Sequence, residues 1–316
     1  MGFYMTVRSL LRKIKWTVFK TKNHWSDKKR AKAAMEQFYE KVGYRFDINN
    51  PQLFTEKVVW YKLFYKRNDL VKIVDKCLFK SYVREKLGEG YTVPLYGVWD
   101  SIDSLKNDWE KLPKEFVLKS TVMGDSKGVR IIRNKNEVNL QALFDEVSRW
   151  FLPQNTLIHS FCWAYYAARP RIIAEEYMKE IDGQLYDYKF LCFDGVPHYA
   201  YAYKNRFADG PEIREDFALT HYDLEWNKQD VIIAGNKIET FPKPVHLNEM
   251  IEISKKLSAG LPFVRVDFYE FRNRIYVGEM TLYPDGGFSI YEPVSFNKKL
   301  GDLFHLPMNC GGGNVE

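Results

Sequence analysis

The stretch Phe263-Val-Arg-Val-Asp-Phe-Tyr-Glu-Phe-Arg-Asn-Arg-Ile-Tyr-Val-Gly-Glu-Met-Thr281 reads as two strands joined by a tight turn. Phe263, Val264, Val266, Phe268 and Phe271 make the first strand apolar. Ile275, Tyr276 and Val277 do the same for the second, and Arg272 to Arg274 supply the polar turn. Two carboxylates, Asp267 and Glu279, interrupt this pattern. A buried strand does not carry an ionised carboxylate without a partner, because desolvating the charge is too costly. Arg265 stands two residues before Asp267, so both point to one face of the strand. Hairpin pairing brings Glu279 to that face as well. Two readings fit these residues: a site for Mg²⁺ and a phosphorylated ligand, or a satisfied ion pair in a structural hairpin.

Outward from this hairpin, the 316 residues suffice for a large core or for two to three lobes of one enzyme. The 16% aromatic content is too high for a disordered chain. No run of about 18 apolar residues predicts a transmembrane helix, and no secretory signal is read at the start. Cys77, Cys162, Cys192 and Cys310 are scattered, as are the six His, so neither forms a metal-binding spacing. Reduced thiols in a cytoplasmic protein are the plain expectation. The charge is uneven. Residues 1–34 hold ten Lys or Arg and one acid, net +9, and the remainder carries −3. Basicity confined to one arm argues against nucleic acid as a partner.

Five segments are expected: a basic arm over 1–35, a mostly helical cap over 36–110, a small α+β lobe over 111–178, a larger α+β lobe over 179–308, and a tail over 309–316. In the arm, residues 3–20 alternate an apolar stripe (Val7, Leu10, Leu11, Ile14, Val18) with a basic face. That pattern suits an anionic membrane surface or packing on a protein. Ser26 caps a predicted helix from Asp27 to Val42. Further helices are expected over 55–65, to Leu87, over 138–151 and over 247–258. Strands are expected over 115–120, 128–132, 171–178, 188–193, 197–204 and 231–234. Residues 153–170 read as an irregular aromatic connection and 205–245 as loop-rich.

Lys119 sits inside the apolar strand Phe116-Val-Leu-Lys-Ser. It reads either as a phosphate ligand or as a solvent-facing Lys on an edge strand. Gly124, Ser126 and Gly128 form a loop whose backbone can cradle a phosphate, or an ordinary hairpin loop. Glu175, Glu176, Tyr177 and Met178 end a strand that can frame an adenine, or carry solvated strand-end charges. Lys189, beside Asp187, lies on the next strand and can meet phosphates.

This order of a Lys strand, a Gly loop, a Glu-Glu strand, a Lys strand, Arg265-x-Asp267 and Glu279-x-Thr281 resembles the ATP-grasp superfamily. Asp75-Lys76 looks like its upstream Asp-Lys element. A closer resemblance is to the TupA-like ATP-grasp family, associated with teichuronopeptide and surface-polysaccharide loci. It rests on Asn50-Pro-Gln-Leu-Phe-Thr-Glu-Lys57, Val93-Pro-Leu-Tyr-Gly-Val-Trp-Asp100, Arg171-Ile-Ile-Ala-Glu-Glu-Tyr177, Asp187-Tyr-Lys-Phe190 and Gly278-Glu-Met-Thr-Leu-Tyr-Pro284. Two departures stand out. Thr281 occupies a position usually held by Asn, and the loop after Lys119 lacks the close family's Asn-His-Gly-Ser-Gly.

The resemblance implies an ATP-grasp fold, two α+β lobes clasping ATP behind a helical cap. It implies a carboxylate–amine ligase working through an acyl phosphate. Asp267, Glu279 and Thr281 would hold Mg²⁺, and Lys119 and Lys189 would bind phosphate oxygens. Lys76 and Asp187 would border the nucleotide, and Arg265 would stabilise the tetrahedral oxyanion. Gly286 and Gly287 would offer N–H groups to the acyl phosphate. The implied acceptor is a uronic acid of a bacterial surface glycan, the amine an amino acid or amino alcohol. Residues 153–170 and 205–240, with Trp163, Tyr165, Lys204, Arg206 and Arg214, would line their pockets. The basic arm would then sit at the inner membrane face. A glycan kinase and a glycosyltransferase are the alternatives.

Overall fold

The computed structural model describes residues 25–124, 128–152, 161–178, 186–204, 218–233 and 236–307. The expected arm helix over 3–20, Ser126, Arg206, Arg214, Cys310 and the tail lie outside the described residues.

Helix α1 spans Asp27–Val42, α2 Phe54–Phe64, α3 Leu70–Val74 and α4 Leu78–Leu87. Ser26 caps α1 by accepting from the Lys29 N–H at 3.3 Å. Strand β1 (Leu95–Trp99) and α5 (Ile102–Asp108) follow. Next come β2 (Phe116–Ser120), β3 (Val129–Ile132), α6 (Leu140–Val147), α7 (Trp163–Ala167) and β4 (Ile172–Glu175). The second half holds β5 (Asp187–Phe193), β6 (Val196–Lys204), β7 (Ala218–Tyr222), β8 (Lys228–Gln229) and β9 (Ile232–Ile233). It continues through α8 (Leu247–Ser258), β10 (Phe263–Phe271), β11 (Arg274–Thr281), β12 (Tyr291–Glu292) and α9 (Val294–Leu303).

Two antiparallel sheets organise the chain. The smaller runs β1-β4-β2-β3, the larger β11-β10-β5-β6-β7-β8. Alternation divides each sheet into a packed face and a polar face. In the small sheet Trp99, Phe116, Leu118, Ile132, Ile172 and Ala174 bury against Leu105, Trp109, Leu143 and Val147. The intervening residues carry Lys119 and Glu175. In the large sheet Val264, Val266, Phe190 and Cys192 lie in the core with Ile253 and Leu257 of α8. The intervening residues are Arg265, Asp267 and Lys189.

Helices α2, α3 and α4 share the core of the large sheet, while β1 belongs to the small sheet. Phe54 of α2 meets Phe263 at 4.9 Å and Phe193 at 5.8 Å between ring centroids. The predicted hairpin forms, with Arg272 and Asn273 at φ 51° and 57°. Two successive positive φ values suit a two-residue turn between twisted strands.

Several local expectations change. The helix over 138–151 shortens to α6 and continues as a 3-10 turn, Ser148–Phe151. The strand over 231–234 begins one residue later, as β9, with Ala234 outside the described residues, and the connection over 153–170 contains α7. Strand β7 forms within the stretch that reads as loop-rich; all five of its residues are buried, so no exposed face marks it as a strand.

The pairing sets Glu279, Asp267, Lys189, Tyr201, His221 and Gln229 opposite one another, one from each strand. This polar row crosses the whole sheet. His221 is fully buried, 5.0 Å from the Tyr201 ring and 5.4 Å from Phe296. Among the described residues, neither of its ring nitrogens has a hydrogen-bond partner. Burial pulls its pKa from 6.5 down to about 3. The unfolded ring therefore takes a proton more readily than the folded one, and protonation favours unfolding. This contribution to stability is full above pH 6.5 and is lost towards pH 3. His221→Phe is expected to flatten the loss of stability on acidification, by about 2 kcal/mol at pH 5 relative to wild type. Urea melts from pH 8 to pH 4 measure it; parallel curves for the two proteins would refute it.

Candidate active site

Arg265 anchors the large-lobe half of the site. Its Nε donates to Asp267 Oδ1 at 2.7 Å and its Nη2 to Asp267 Oδ2 at 2.7 Å. The same Nη2 reaches Thr281 Oγ1 at 2.9 Å and Glu279 Oε1 at 3.1 Å. Nη1 donates to the Tyr201 hydroxyl at 3.1 Å. Such a two-pronged guanidinium–carboxylate pair is both strong and directional. Lys189 adds a second cation on Asp267 Oδ2 and lies 3.1 Å from Asp187.

Asp267 and Glu279 sit side by side because of a bulge in the β10–β11 pairing. Asp267 faces Glu279, whereas Phe268 already faces Val277, so Gly278 is the extra residue. A Cβ on Gly278 would lie 2.6 Å from the Tyr269 ring, so a side chain there would have to displace that ring.

Both readings of the hairpin meet in this geometry. Asp267 is buried and engaged by the two cations. Burial raises its carboxyl above the usual range, and Arg265 and Lys189 pull it back. Burial disfavours charged Lys189, but Asp187 and Asp267 outweigh this and raise its pKa. Glu279 differs: 41% of its side chain is accessible. Desolvation pushes it up, but Lys76, Lys189 and Arg265 hold it well below the ordinary carboxylate range. Thr281, opposite Arg265 on β11, accepts from Arg265 and donates to Glu279 Oε1 at 3.2 Å.

The small-lobe half centres on Glu175. It is buried and lies 2.5 Å from Lys119 Nζ and 2.7 Å from Lys80 Nζ. This corrects the expectation of a solvated strand-end charge. It also corrects the edge-strand alternative for Lys119, since β2 lies between β4 and β3. On the Lys119 face, Leu95, Val98 and Ile131 remain 36%, 40% and 40% exposed. An accessible aliphatic surface around one ammonium suits a flat apolar ring joined to an anion. Glu176, Tyr177 and Met178 follow β4 as half-buried backbone, with the Glu176 N–H donating to Pro94 O at 3.0 Å.

Lys76 stands between the halves. Its Nζ donates to Met123 O at 2.9 Å, at the foot of the glycine loop. Burial lowers its pKa, opposed by Glu279 from the large sheet and Glu175 from the small one. Asp75 fixes this segment. It accepts from the Cys77 and Leu78 N–H groups at 2.8 and 3.0 Å and from Arg171 at 3.0 Å. Gly128 is required for space, since a Cβ there would lie 2.7 Å from Met123 Cβ and 2.8 Å from Ser120 Cβ.

Gly286 and Gly287 lie in the 3-10 turn Pro284–Gly287 that follows β11. Tyr165 is buried and feels the charges of Glu279, Arg265 and Asp267. Trp163 is committed elsewhere, its indole N–H donating to Tyr65 O at 2.8 Å. Sequence reasoning missed Tyr201 and Lys80. The period-two tyrosines 199, 201 and 203 were a usable signal for Tyr201. Lys80 had none, since its carboxylate partner is remote in sequence.

A family model described as TupA-like ATPgrasp matches residues 56–305. No curated protein matches the chain. Among solved structures, a D-alanine–D-alanine ligase from Bacillus anthracis is similar at 20% identity, over 73% of this chain and 65% of that one, with a TM-score of 0.42. An L-amino acid ligase from Bacillus licheniformis is similar at 17% identity, over 74% and 49%, with a TM-score of 0.45. An N5-carboxyaminoimidazole synthetase from Staphylococcus aureus, complexed with ADP, is similar at 15% identity, over 67% and 45%, with a TM-score of 0.41. The chain thus spans between 45% and 65% of the lengths of these three.

Glu175 gives the site a measurable acid dependence. Burial raises its pKa, but Lys119 and Lys80 outweigh burial and bring it from 4.5 down to about 2. Its contribution to stability is complete above pH 4.5 and disappears as pH falls to about 2. Glu175→Gln is expected to lower stability at pH 7 by about 2–3 kcal/mol and to shrink that deficit steadily below pH 4.5. Denaturant melts across this range decide it; a deficit independent of pH would contradict the assignment.

Proposed function

Because this chain belongs to the TupA-like ATP-grasp family, we propose that it is an ATP-dependent carboxylate–amine ligase. The observation that carries the reading is the cross-lobe cluster: Arg265, Lys189 and Lys76 around Glu279, facing Lys119 and its aliphatic surface. Those cations are arranged for a polyphosphate, and the exposed aliphatics beside Lys119 for a base.

The reaction has two steps. An acceptor carboxylate oxygen attacks the γ-phosphorus of ATP, the bond to ADP breaks, and an acyl phosphate forms. An amine then attacks the acyl carbon, phosphate leaves, and a proton is lost to give the amide. Both steps need charge neutralisation more than a covalent nucleophile. Lys119 and Lys189 neutralise phosphate oxygens, and Lys76 ties the glycine loop to the large lobe. Arg265 faces the oxyanion, with Tyr201 holding its Nη1 in place. Glu176 to Met178 border the base. The N–H of Gly287 faces the acyl phosphate, while that of Gly286 donates to Tyr283 O at 3.0 Å and closes the turn.

The donor set fits Mg²⁺. Asp267 and Glu279 are adjacent hard oxygen donors, and Glu279 is ionised and accessible. No three His, Cys, Asp or Glu side chains form a closed cage among the described residues, and Mg²⁺ is commonly held by one or two carboxylates plus phosphates. Asp267 and Glu279 would hold it, with the Thr281 hydroxyl orienting Glu279. Bound there, Mg²⁺ supplies charge neutralisation on the phosphates.

The acceptor is a uronic acid of a bacterial surface glycan and the amine an amino acid or amino alcohol. Family membership supports this class. Among the described residues no helix is long and apolar enough to cross a membrane. We place the protein in the cytoplasm, with its basic arm on the inner membrane face. Glucuronate or galacturonate with Mg-ATP and a pool of amino acids and amino alcohols should release ADP and give an amide seen by mass spectrometry. ADP formed with a uronate but without amide would point to a kinase. Asp267→Asn and Glu279→Gln are each expected to lower ATP turnover by about 100-fold or more with the fold retained. Wild-type turnover in both would end the proposal.

A further inference from the structure

Lys62 is fully buried in the last turn of α2, yet no carboxylate pairs with it among the described residues. Its Nζ donates to the Gly286 carbonyl at 2.6 Å and stands 4.1 Å from the centre of the Phe288 ring. Lys41 of α1 lies 4.6 Å from the same ring. The groups whose charges act on Lys62 are Lys41 and the Cys162 thiol that precedes α7. A buried ammonium with so little compensation is expensive, and a Met would fill the same space at no such cost. Charges retained in that setting concentrate at functional sites.

The carbonyl that Lys62 holds belongs to an unusual turn. Asp285, Gly286 and Gly287 follow one another at φ 49°, 63° and 84°. The turn is seated on one face of α2. A Cβ on Gly287 would lie 2.7 Å from Thr55 O, 2.9 Å from Val59 Cγ2 and 3.2 Å from Val59 N. Thr55, Val59 and Lys62 share that face at helical spacing. The turn also borders the site, since the Asp285 charge acts on Tyr201, which holds Arg265. In a trans peptide the C=O and N–H point opposite ways. With the Gly286 C=O turned to Lys62, the N–H of Gly287 points away from it. A cation on a carbonyl also strengthens the N–H of the same peptide as a donor.

We propose that Lys62 is a positioning residue, whose ammonium holds and polarises the Gly286–Gly287 peptide of the turn so that the Gly287 N–H receives the charge developing on the transferring phosphoryl and the acyl oxyanion. The inference rests on the ligase reading above. It gives α2 a role in the reaction without contact between Lys62 and substrate.

The test uses the full chain, with MgADP and aluminium fluoride standing in for the transferring phosphoryl group. Binding is followed by calorimetry and the fold by thermal melting. Lys62→Met is expected to melt no lower than wild type and to bind MgADP within about twofold. It should lose about tenfold or more of the added affinity that aluminium fluoride brings. Lys62→Gln, which returns a neutral donor to the Gly286 carbonyl, should recover part of that loss. Equal trapping by wild type and Lys62→Met would overturn the proposal. So would unfolding of both variants, which would make Lys62 a folding residue. A wild type that binds MgADP but gains nothing from aluminium fluoride would also overturn it. A wild type that binds no MgADP would overturn the ligase reading itself.

Discussion

The Arg265 guanidinium reaches Asp267, Glu279, Thr281 and Tyr201 at once, across strands β11, β10 and β6. Removing it would leave Asp267 buried with Lys189 as its remaining close cation and Glu279 without its nearest counter-charge. A buried carboxylate stripped of one partner is strongly destabilised, so this fork conditions the electrostatics of the whole sheet face. It also divides the labour of the two acids. Asp267 is held inside the ion pair, while Glu279 keeps an accessible, ionised face.

The fork works only because the backbone permits it. The bulge at Gly278 brings Glu279 level with Asp267, and Tyr269 fills the space that a side chain at 278 would need. The opposing lobe answers with its own compensated charges. Glu175 is shared by Lys119 and Lys80, and Lys76 spans the gap through Met123 O. Nearly every charge in the cleft is therefore oriented before any ligand arrives. Such preorganisation is the physical basis of electrostatic catalysis.

Much of this was legible in the chain. The β10–β11 hairpin declared itself through alternation and a polar turn, and Arg265 and Asp267 through their spacing of two. The two α+β lobes followed from the order of strands and helices. Other features depended on remote partners. Whether Lys119 sits on an edge is decided by β4, some fifty residues later. The burial of Glu175 is decided by Lys80 on α4, which nothing near position 175 signals. Strand β7 is buried throughout, so it shows none of the alternation that marks a half-exposed strand; helix α2, expected over 55–65, forms but is buried on nearly all sides. Lys62 was hidden for the same reason, as one Lys inside a helix with no polar face to set it against.

The central claim is that a carboxylate is activated as its acyl phosphate in front of Arg265. The direct measurement uses a uronate labelled with ¹⁸O in its carboxylate, together with Mg-ATP and the amine. One labelled oxygen is expected in each released phosphate, in step with the amide formed. ADP and phosphate formed at the same rate with no label in the phosphate would contradict it.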